Sequence, residues 1–393
     1  MAERYDVVIV GGAVTGSSVA YHLAADSGFG GRVLVLEQDP SYAKCASALS
    51  ASSIRQQFST AINIRISLFG IEFLRRIGEI LEVDGDRPSV QLHEGGYLFL
   101  ATSAGRSVLA ENHALQTSLG ADIRFLPQPE LTQAFPWLRT DDLAAGSWGR
   151  TGEGWFDGYG LMQAFRRKAR SLGVEYRAAR AVKVERHADK AVAVVLADGS
   201  RIACGAVVNA AGAGARALAA SAGVDIPVHT KKRMVFTFAC REKLARFPLL
   251  IDPSGVYARP EGELFLCGSA PPPEADPDAD GDFEVDHRFF DDHVWPVLAR
   301  RVPAFEAIKP GRAWAGHYDM NLFDHNAIVG PSAELPNFHF ANGFSGHGLQ
   351  QSPAIGRGLA ELIVHGGFRS LDLSPLGFAR LAEGRKLAEK NVV

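Results

Sequence analysis

Cysteine is scarce. There are four in 393 residues, Cys45, Cys204, Cys240 and Cys267, with no C-x-x-C pair. Such spacing gives neither a zinc knuckle nor a redox dithiol, and reduced thiols of a cytosolic protein are the expectation. An excess of either charge is also missing, since 41 basic residues face 44 acidic ones for a net charge of -3. The chain therefore has no field to gather nucleic acid or an anionic membrane, and no nucleic-acid partner is expected. No apolar run reaches the roughly 18 residues of a spanning helix, so no integral membrane segment is expected. The first apolar stretch has neither a basic lead-in nor a small-residue cleavage site, which makes a cytoplasmic location the expectation.

What is present is an ordinary globular composition, 47% apolar and 22% charged. At this length it predicts a large core in two domains, or in one domain with an elaborate second lobe. Tyr5 to Val10 reads as a buried strand, Ser17 to Ala25 as a helix and Arg32 to Glu37 as a second strand, which makes a βαβ unit. The turn between them, within VVIVGGAVTGSSVAYHLA, carries Gly11, Gly12, Ala13, Val14, Thr15 and Gly16. In a G-x-G-x-x-G turn the first glycine permits the bend, the second admits backbone to a pyrophosphate, and the third packs helix on strand. Ala13 takes the second place, and its methyl is a modest intrusion because the phosphate donors are backbone N–H groups at a helix N-terminus. Glu37 stands where a carboxylate accepts from ribose hydroxyls, and Gln38 after it does not favour a 2′-phosphate.

Two further segments bear on which dinucleotide is bound. VVNAAGAGAR, Val207 to Arg216, is a strand ending in small residues that include Ala211 and Gly212, so backbone can pass close to a ligand. FHFANGFSGHGLQQSPAIGRGLAELI, Phe338 to Ile363, is a strand, a glycine-rich turn and a helix. A second helix N-terminus suits the negative charge that collects on a reduced flavin. Elsewhere the patterns predict helices at Ile64 to Ile77 and Gly160 to Ser171. Strands are expected at Val182 to Val184, Ala191 to Leu196, Ala206 to Asn209, Val228 to Phe238 and Val256 to Gly268. PPPEADPDADGDFEVDH reads as an exposed acidic excursion. Asp276, Asp278, Asp280 and Gly281 imitate the start of a calcium loop, but His287 replaces the required Glu, so no metal is expected.

Together VVIVGGAVTGSSVAYHLA, VVNAAGAGAR and NGFSGHGLQQSPAIG resemble the FAD-dependent D-amino-acid oxidase and sarcosine oxidase superfamily. GEGWFDGYGLMQAFRRKARSLGV, EVDHRFFDDHVWPVLARRVPAFE, WAGHYDMNLFDHNAIVG and FSGHGLQQSPAIGRGLAE are most similar to the FAD-dependent oxidoreductase domain-containing proteins, known from mitochondria as respiratory-complex assembly factors. The likeness runs from about Tyr5 to Val393. It implies an α/β fold with a Rossmann-like FAD domain from residues 1–84, 146–226 and 325–393, and a mixed-sheet substrate domain from 85–145 and 227–324. It further implies that Gly11, Ala13, Val14 and Gly16 hold the pyrophosphate, Glu37 the ribose and Val182 the adenine. Ser47, Ala48, Ser50 and Ala51 would pass the flavin and ribityl chain, with Gly346, His347, Gly348, Leu349 and Gln350 at the isoalloxazine edge. Sarcosine oxidases attach flavin through a cysteine where this chain has Gly316, and CASALSASSIRQQ lacks the histidine of dimethylglycine dehydrogenases, so non-covalent FAD is implied.

Flavin oxidation of an amino acid needs a neutral amine, a C–H aimed at the flavin and a grip on the carboxylate. The resemblance puts a carboxylate-binding arginine at Arg55, and a guanidinium suits a two-oxygen anion. The family's second clamp, a lysine, is Gln350 here, so Arg259, His317, Tyr318, His347 and the run Lys231 to Arg233 are further candidates. Tyr257 and Tyr318 match substrate-bonding tyrosines, while the KKR run is expected to be solvated or at a domain seam. Trp155, Trp295 and Trp314 read as core or wall residues. The expected reaction is oxidation of a secondary or N-substituted amino acid to an imine, which hydrolyses to an amine plus an aldehyde or glyoxylate. Sarcosine is one such substrate, and iminodiacetate would use several cations. A D-amino-acid dehydrogenase and a non-catalytic flavin-containing assembly or binding protein are the alternatives. The place of the oxygen-activating lysine matches Phe265, which leaves oxygen and an electron-transfer partner both open as acceptor.

Overall fold

A computed structural model describes residues 3–279 and 281–390. At its centre is β1 (Arg4–Val10), whose run VVIV is apolar on both sides because both faces are covered. Val7 and Ile9 pack with one core, and Val8 and Val10 with the other. β1 pairs in parallel with β2 (Val33–Glu37) on one side and with Arg201–Asn209 on the other. Phe338–Asn342 and Glu175–Ala178 extend this sheet in parallel at its two sides. Ile328–Pro331 closes the Phe338 edge antiparallel, and the hairpin of Ala181–His187 and Lys190–Leu196 branches from Arg201–Asn209.

Between β1 and β2 runs α1 (Val14–Ala25), which begins three residues earlier than its apolar pattern predicts, with Ala13 as N-cap. It lies against the long helix Gly348–His365. There the Ser18 hydroxyl donates to the Ser352 carbonyl at 2.7 Å, and a Cβ on Gly356 would stand 2.1 Å from Ser18 Oγ. Small residues thus let the two helices touch and bring both N-termini to one end of the sheet. The helix expected at Ile64 to Ile77 runs from Ala61 to Arg75; at Arg76 the backbone leaves helical geometry (φ -108°, ψ 10°) before a short turn Ile77–Ile80. Gly158–Ser171 starts two residues ahead of expectation because the Asp157 carboxylate caps it, accepting from Gly160 N at 2.8 Å.

The second sheet has eight strands, built on the long antiparallel pair Val228–Cys240 and Ile308–Asn321. The single strand expected over Val256 to Gly268 is a hairpin, Tyr257–Glu261 and Leu264–Ser269, turning near Gly262 at φ +60°. Ala145–Gly149 pairs with both Tyr97–Ala101 and Ile123–Pro127 in this sheet, so a domain boundary at residue 146 would cut a strand. Phe265 is likewise core rather than cavity, stacked with Phe238 and edge-on to Phe247 and Phe305.

The acidic excursion is a strap, not a free loop. Asp276 takes both terminal nitrogens of Arg233 at 2.8 and 2.9 Å, Asp278 pairs with Lys231 at 3.0 Å, and Asp282 with Lys232 at 2.5 Å. Lys231 and Arg233 are consequently buried, which corrects the solvated half of the expectation for this run, solvated or at a domain seam. The imitation calcium loop has its aspartates occupied by these cations, and Asp280 lies outside the described residues. Among the described residues no helix is long and apolar enough to cross a membrane.

Candidate active site

A cavity of about 380 Å³ opens where the two helix N-termini meet the ends of the parallel strands. Gly11, Ala13, Val14 and Thr15 line it at α1. Gly11 has φ +99°, and a Cβ there would stand 2.2 Å from the Ala210 carbonyl oxygen, so only glycine fits this close crossing. A Cβ on Gly16 would stand 1.9 Å from Gly11 O, so Gly16 packs helix on strand and lies behind the cavity wall. Ala13 is extended (φ -70°, ψ -165°), a conformation any residue adopts, and as N-cap it offers no side-chain acceptor to the first turn of α1. The positive end of the helix therefore faces the cavity.

Further along the cavity, Glu37 and Gln38 line it, and the Glu37 carboxylate accepts from Gly12 N and Asp39 N, each at 2.9 Å. Gly12 is thereby a support and not a wall. Val182, Ala211 and Gly212 lie on the lining, as do Ser47 and Ser50, and Ser47 Oγ accepts from Val14 N at 3.3 Å. Ala48 and Gly316 are outside it; Gly316 packs on Leu49, to which a Cβ would stand at 3.0 Å. Tyr318, Gly346, Gly348 and Leu349 form the other end, where desolvation pushes the nearby Asp319 carboxyl up to about 6.

A second, smaller compartment of about 50 Å³ shares Ser50, Tyr318, Gly346 and Leu349 with the large cavity and so adjoins it. Arg55 stands here with Tyr257, His347, Gln350 and Ala51. The Arg55 guanidinium lies over the rings of Phe58, Phe99 and Tyr97 at 4.6, 5.2 and 5.9 Å, and its Nη2 is 2.9 Å from His347 Nε2. Burial and the neighbouring guanidinium hold His347 well below the usual imidazole range, so the ring is neutral and its Nε2 accepts from Arg55. Gln350 Oε1 accepts from Arg55 N at 2.8 Å. Burial raises the phenols of Tyr257, Tyr318 and Tyr97, which are therefore neutral hydroxyls at neutral pH.

Three of the candidate cations point elsewhere. Arg259 donates to the Ala51 carbonyl at 2.7 Å through Nη2 and pairs with Glu261, so it staples the second sheet to the Ser50–Ala51 segment without lining either cavity. His317 lines the large cavity only, with Nε2 2.7 Å from the Asp282 carbonyl and its ring stacked 4.0 Å from Phe283. The KKR run is held by the strap.

The family model for FAD dependent oxidoreductases (DAO) matches residues 6–362. The chain belongs to the DAO family. It is 42% identical over 426 aligned positions to FAD-dependent oxidoreductase domain-containing protein 1 of Xenopus laevis, covering 100% of this chain and 85% of that one. In structure it is similar to L-proline dehydrogenase from P. horikoshii, with TM-score 0.85 and 24% identity over 98% of this chain and 100% of the other. Iminodiacetate oxidase from Chelativorans sp. BNC1 is also similar, with TM-score 0.77 and 20% identity over 94% and 98%. At these identities the two solved structures show the fold.

FAD is thus the cofactor of this DAO oxidoreductase, and the residues present fit it. The cavity is lined by the Gly11 turn, which only glycine fits, by the first residues of α1 behind an N-cap that offers no side-chain acceptor, and by a carboxylate at Glu37. Several contributors to the site carried no signal in the sequence. Tyr97, Leu249 and Ile251 complete the small compartment, yet each sits in an apolar strand that reads as plain core. Trp314 donates to the Leu49 carbonyl at 2.9 Å and helps fix the segment that runs past both cavities. Glu153, fully buried, accepts from Gln56 N at 2.5 Å and Gln57 N at 3.1 Å. Burial pushes its carboxyl up to about 7 against these bonds and the charge of Arg55.

Proposed function

We propose that this protein oxidises a small amino acid bearing one carboxylate and a secondary or N-substituted amine. The observation that carries the reading is Arg55, a guanidinium held on aromatic faces in a compartment adjoining the FAD cavity. Bound FAD supplies the acceptor for the two electrons of the C–H bond beside the nitrogen. Arg55 grips the substrate carboxylate, and the neutral His347 ring keeps the guanidinium aimed. Tyr257 and Tyr318 line the compartment as the hydrogen-bonding groups offered to the amine, and Leu249 and Ile251 give its substituent an apolar wall.

A sarcosine-like or cyclic secondary amine suits this compartment better than iminodiacetate. Arg259, His317 and the KKR run, the cations considered for a second carboxylate, are engaged by Ala51, Asp282 and the strap. Anaerobic mixing of the FAD-loaded protein with sarcosine, L-proline, a D-amino acid and iminodiacetate tests the reading. Bleaching of the oxidised flavin band by the first two supports it. No bleaching by any of the four supports a flavin-binding role without turnover. Arg55→Lys keeps charge but loses the planar fork, so KM for the amino acid should rise about tenfold or more while FAD content stays constant. Reoxidation of the bleached protein in air, compared with a quinone added anaerobically, distinguishes oxygen from an electron-transfer acceptor.

A further inference from the structure

The segment that carries Arg55 is held from an unusual direction. Ser53 and Ile54 pair antiparallel with Trp155 and Gly154, and just beyond that ladder come the backbone N–H groups of Gln56 and Gln57. A single carboxylate takes both. Glu153 Oε1 accepts from Gln56 N at 2.5 Å and from Gln57 N at 3.1 Å, and Oε2 accepts from Gln57 Nε2 at 2.8 Å. Gln57 Nε2 also donates to the Tyr97 carbonyl at 3.2 Å, which ties the same group to a strand lining the compartment. In each of these bonds the carboxylate accepts, the pattern of the ionised form.

Three glycines make room for this arrangement. A Cβ on Gly149 would stand 1.9 Å from Glu153 Oε2, one on Gly152 would stand 2.3 Å from Gln56 Nε2, and one on Gly154 would stand 2.0 Å from the His93 carbonyl. The turn 149–154 is thus wrapped onto the Arg55 segment by close backbone approach. Glu153 reaches no cavity lining, so it touches neither substrate nor FAD.

We propose that Glu153 is a positioning residue: its buried carboxylate pins the backbone of Gln56 and Gln57 and so sets where the Arg55 guanidinium meets a substrate carboxylate. The proposal rests on the reading of Arg55 as the carboxylate clamp. Loss of the pin lets the segment lift and spreads the guanidinium over several positions, which weakens anion binding and leaves the distant pyrophosphate end unaffected.

Glu153→Ala, Glu153→Gln and Arg55→Ala proteins, each loaded with FAD, are titrated with acetate while the flavin absorbance is followed, and FAD affinity and melting temperature are measured alongside. Acetate affinity is expected to fall about tenfold or more in Glu153→Ala with FAD affinity within about twofold of wild type. Glu153→Gln should lie between, because its Oε1 still accepts from both backbone groups while its amide opposes that of Gln57. Wild-type acetate affinity in a folded Glu153 variant, with acetate binding lost in Arg55→Ala, overturns the positioning role and leaves the clamp standing. Parallel loss of FAD and acetate in both Glu153 variants also overturns it, since a merely structural defect does that. Retention of acetate by Arg55→Ala, or no acetate binding by wild type, sinks the clamp reading itself and the positioning role with it.

Discussion

Arg55 and Glu153 are a buried cation and a buried carboxyl, and the burial of Glu153 has a measurable consequence. A carboxyl raised from 4.5 to about 7 binds its proton more tightly in the folded chain than in the unfolded one. Its contribution to stability is fully present below the unfolded value and is lost as pH rises through about 7. The ceiling is about 3 kcal/mol, at roughly 1.4 kcal/mol per unit. Asp319, raised to about 6, adds in the same direction, whereas His22 and His339, lowered by burial to about 3 and about 4, act oppositely and lose their contribution as pH falls. Wild-type melting alone therefore mixes signs. The difference between wild type and Glu153→Gln isolates the carboxyl: any margin of wild type over the variant should shrink from roughly pH 5 to pH 8. A margin constant across that range in thermal melts would show that this carboxyl does not titrate there. None of this was legible in the sequence, because Glu153 stands 97 residues from Gln56 in a glycine-rich stretch with no local partner. For Arg259 and His317 the residue types suited anion binding, but their partners, Ala51 and Asp282, are set only by the packing of one sheet on the other segment.

Among the elements, the βαβ unit was the most legible because its signals are local: a strand apolar on both faces, a glycine turn, then a helix. Its turn also makes the sharpest contrast between positions. Ala13 is extended at the N-cap, where glycine is as well accommodated as alanine, so Ala13→Gly should change FAD affinity by less than about threefold. Gly16→Ala puts a methyl 1.9 Å from the Gly11 carbonyl and forces α1 away from β1, so affinity should fall by about tenfold or more. Flavin fluorescence titration of the two apoproteins checks the pair, and equal effects would contradict the assignment of close packing to Gly16. Where periodicity misled, backbone geometry was the cause. Apolar spacing continues through Ile77 although the helix ends at Arg75, and the run through Val256 to Gly268 conceals a hairpin. The strap was unreadable for a different reason: acidic and basic runs some 45 residues apart each look solvated until folding sets Asp276 on Arg233.

At the scale of the molecule, the large cavity is assembled from pieces spread along almost the whole chain, from Val10 to Leu349. The pieces are the α1 turn, the Glu37 strand end, the Val182 hairpin, the small residues near Ala211 and the turn before Gly348–His365, and all of them face the one cavity. A ligand that fills this space touches all of these elements at once, so FAD should act on global stability as well as on chemistry. By mass action a ligand bound only to the folded state adds about 2.7 kcal/mol at a hundredfold excess over its Kd. Melting of FAD-stripped protein over a series of free FAD concentrations should therefore show Tm climbing with the logarithm of concentration once Kd is passed. In Gly16→Ala the climb should begin at a concentration higher by the factor lost in affinity. A Tm that ignores added FAD in wild type would mean that FAD does not bind the folded chain in preference to the unfolded one, which contradicts the cavity as its site.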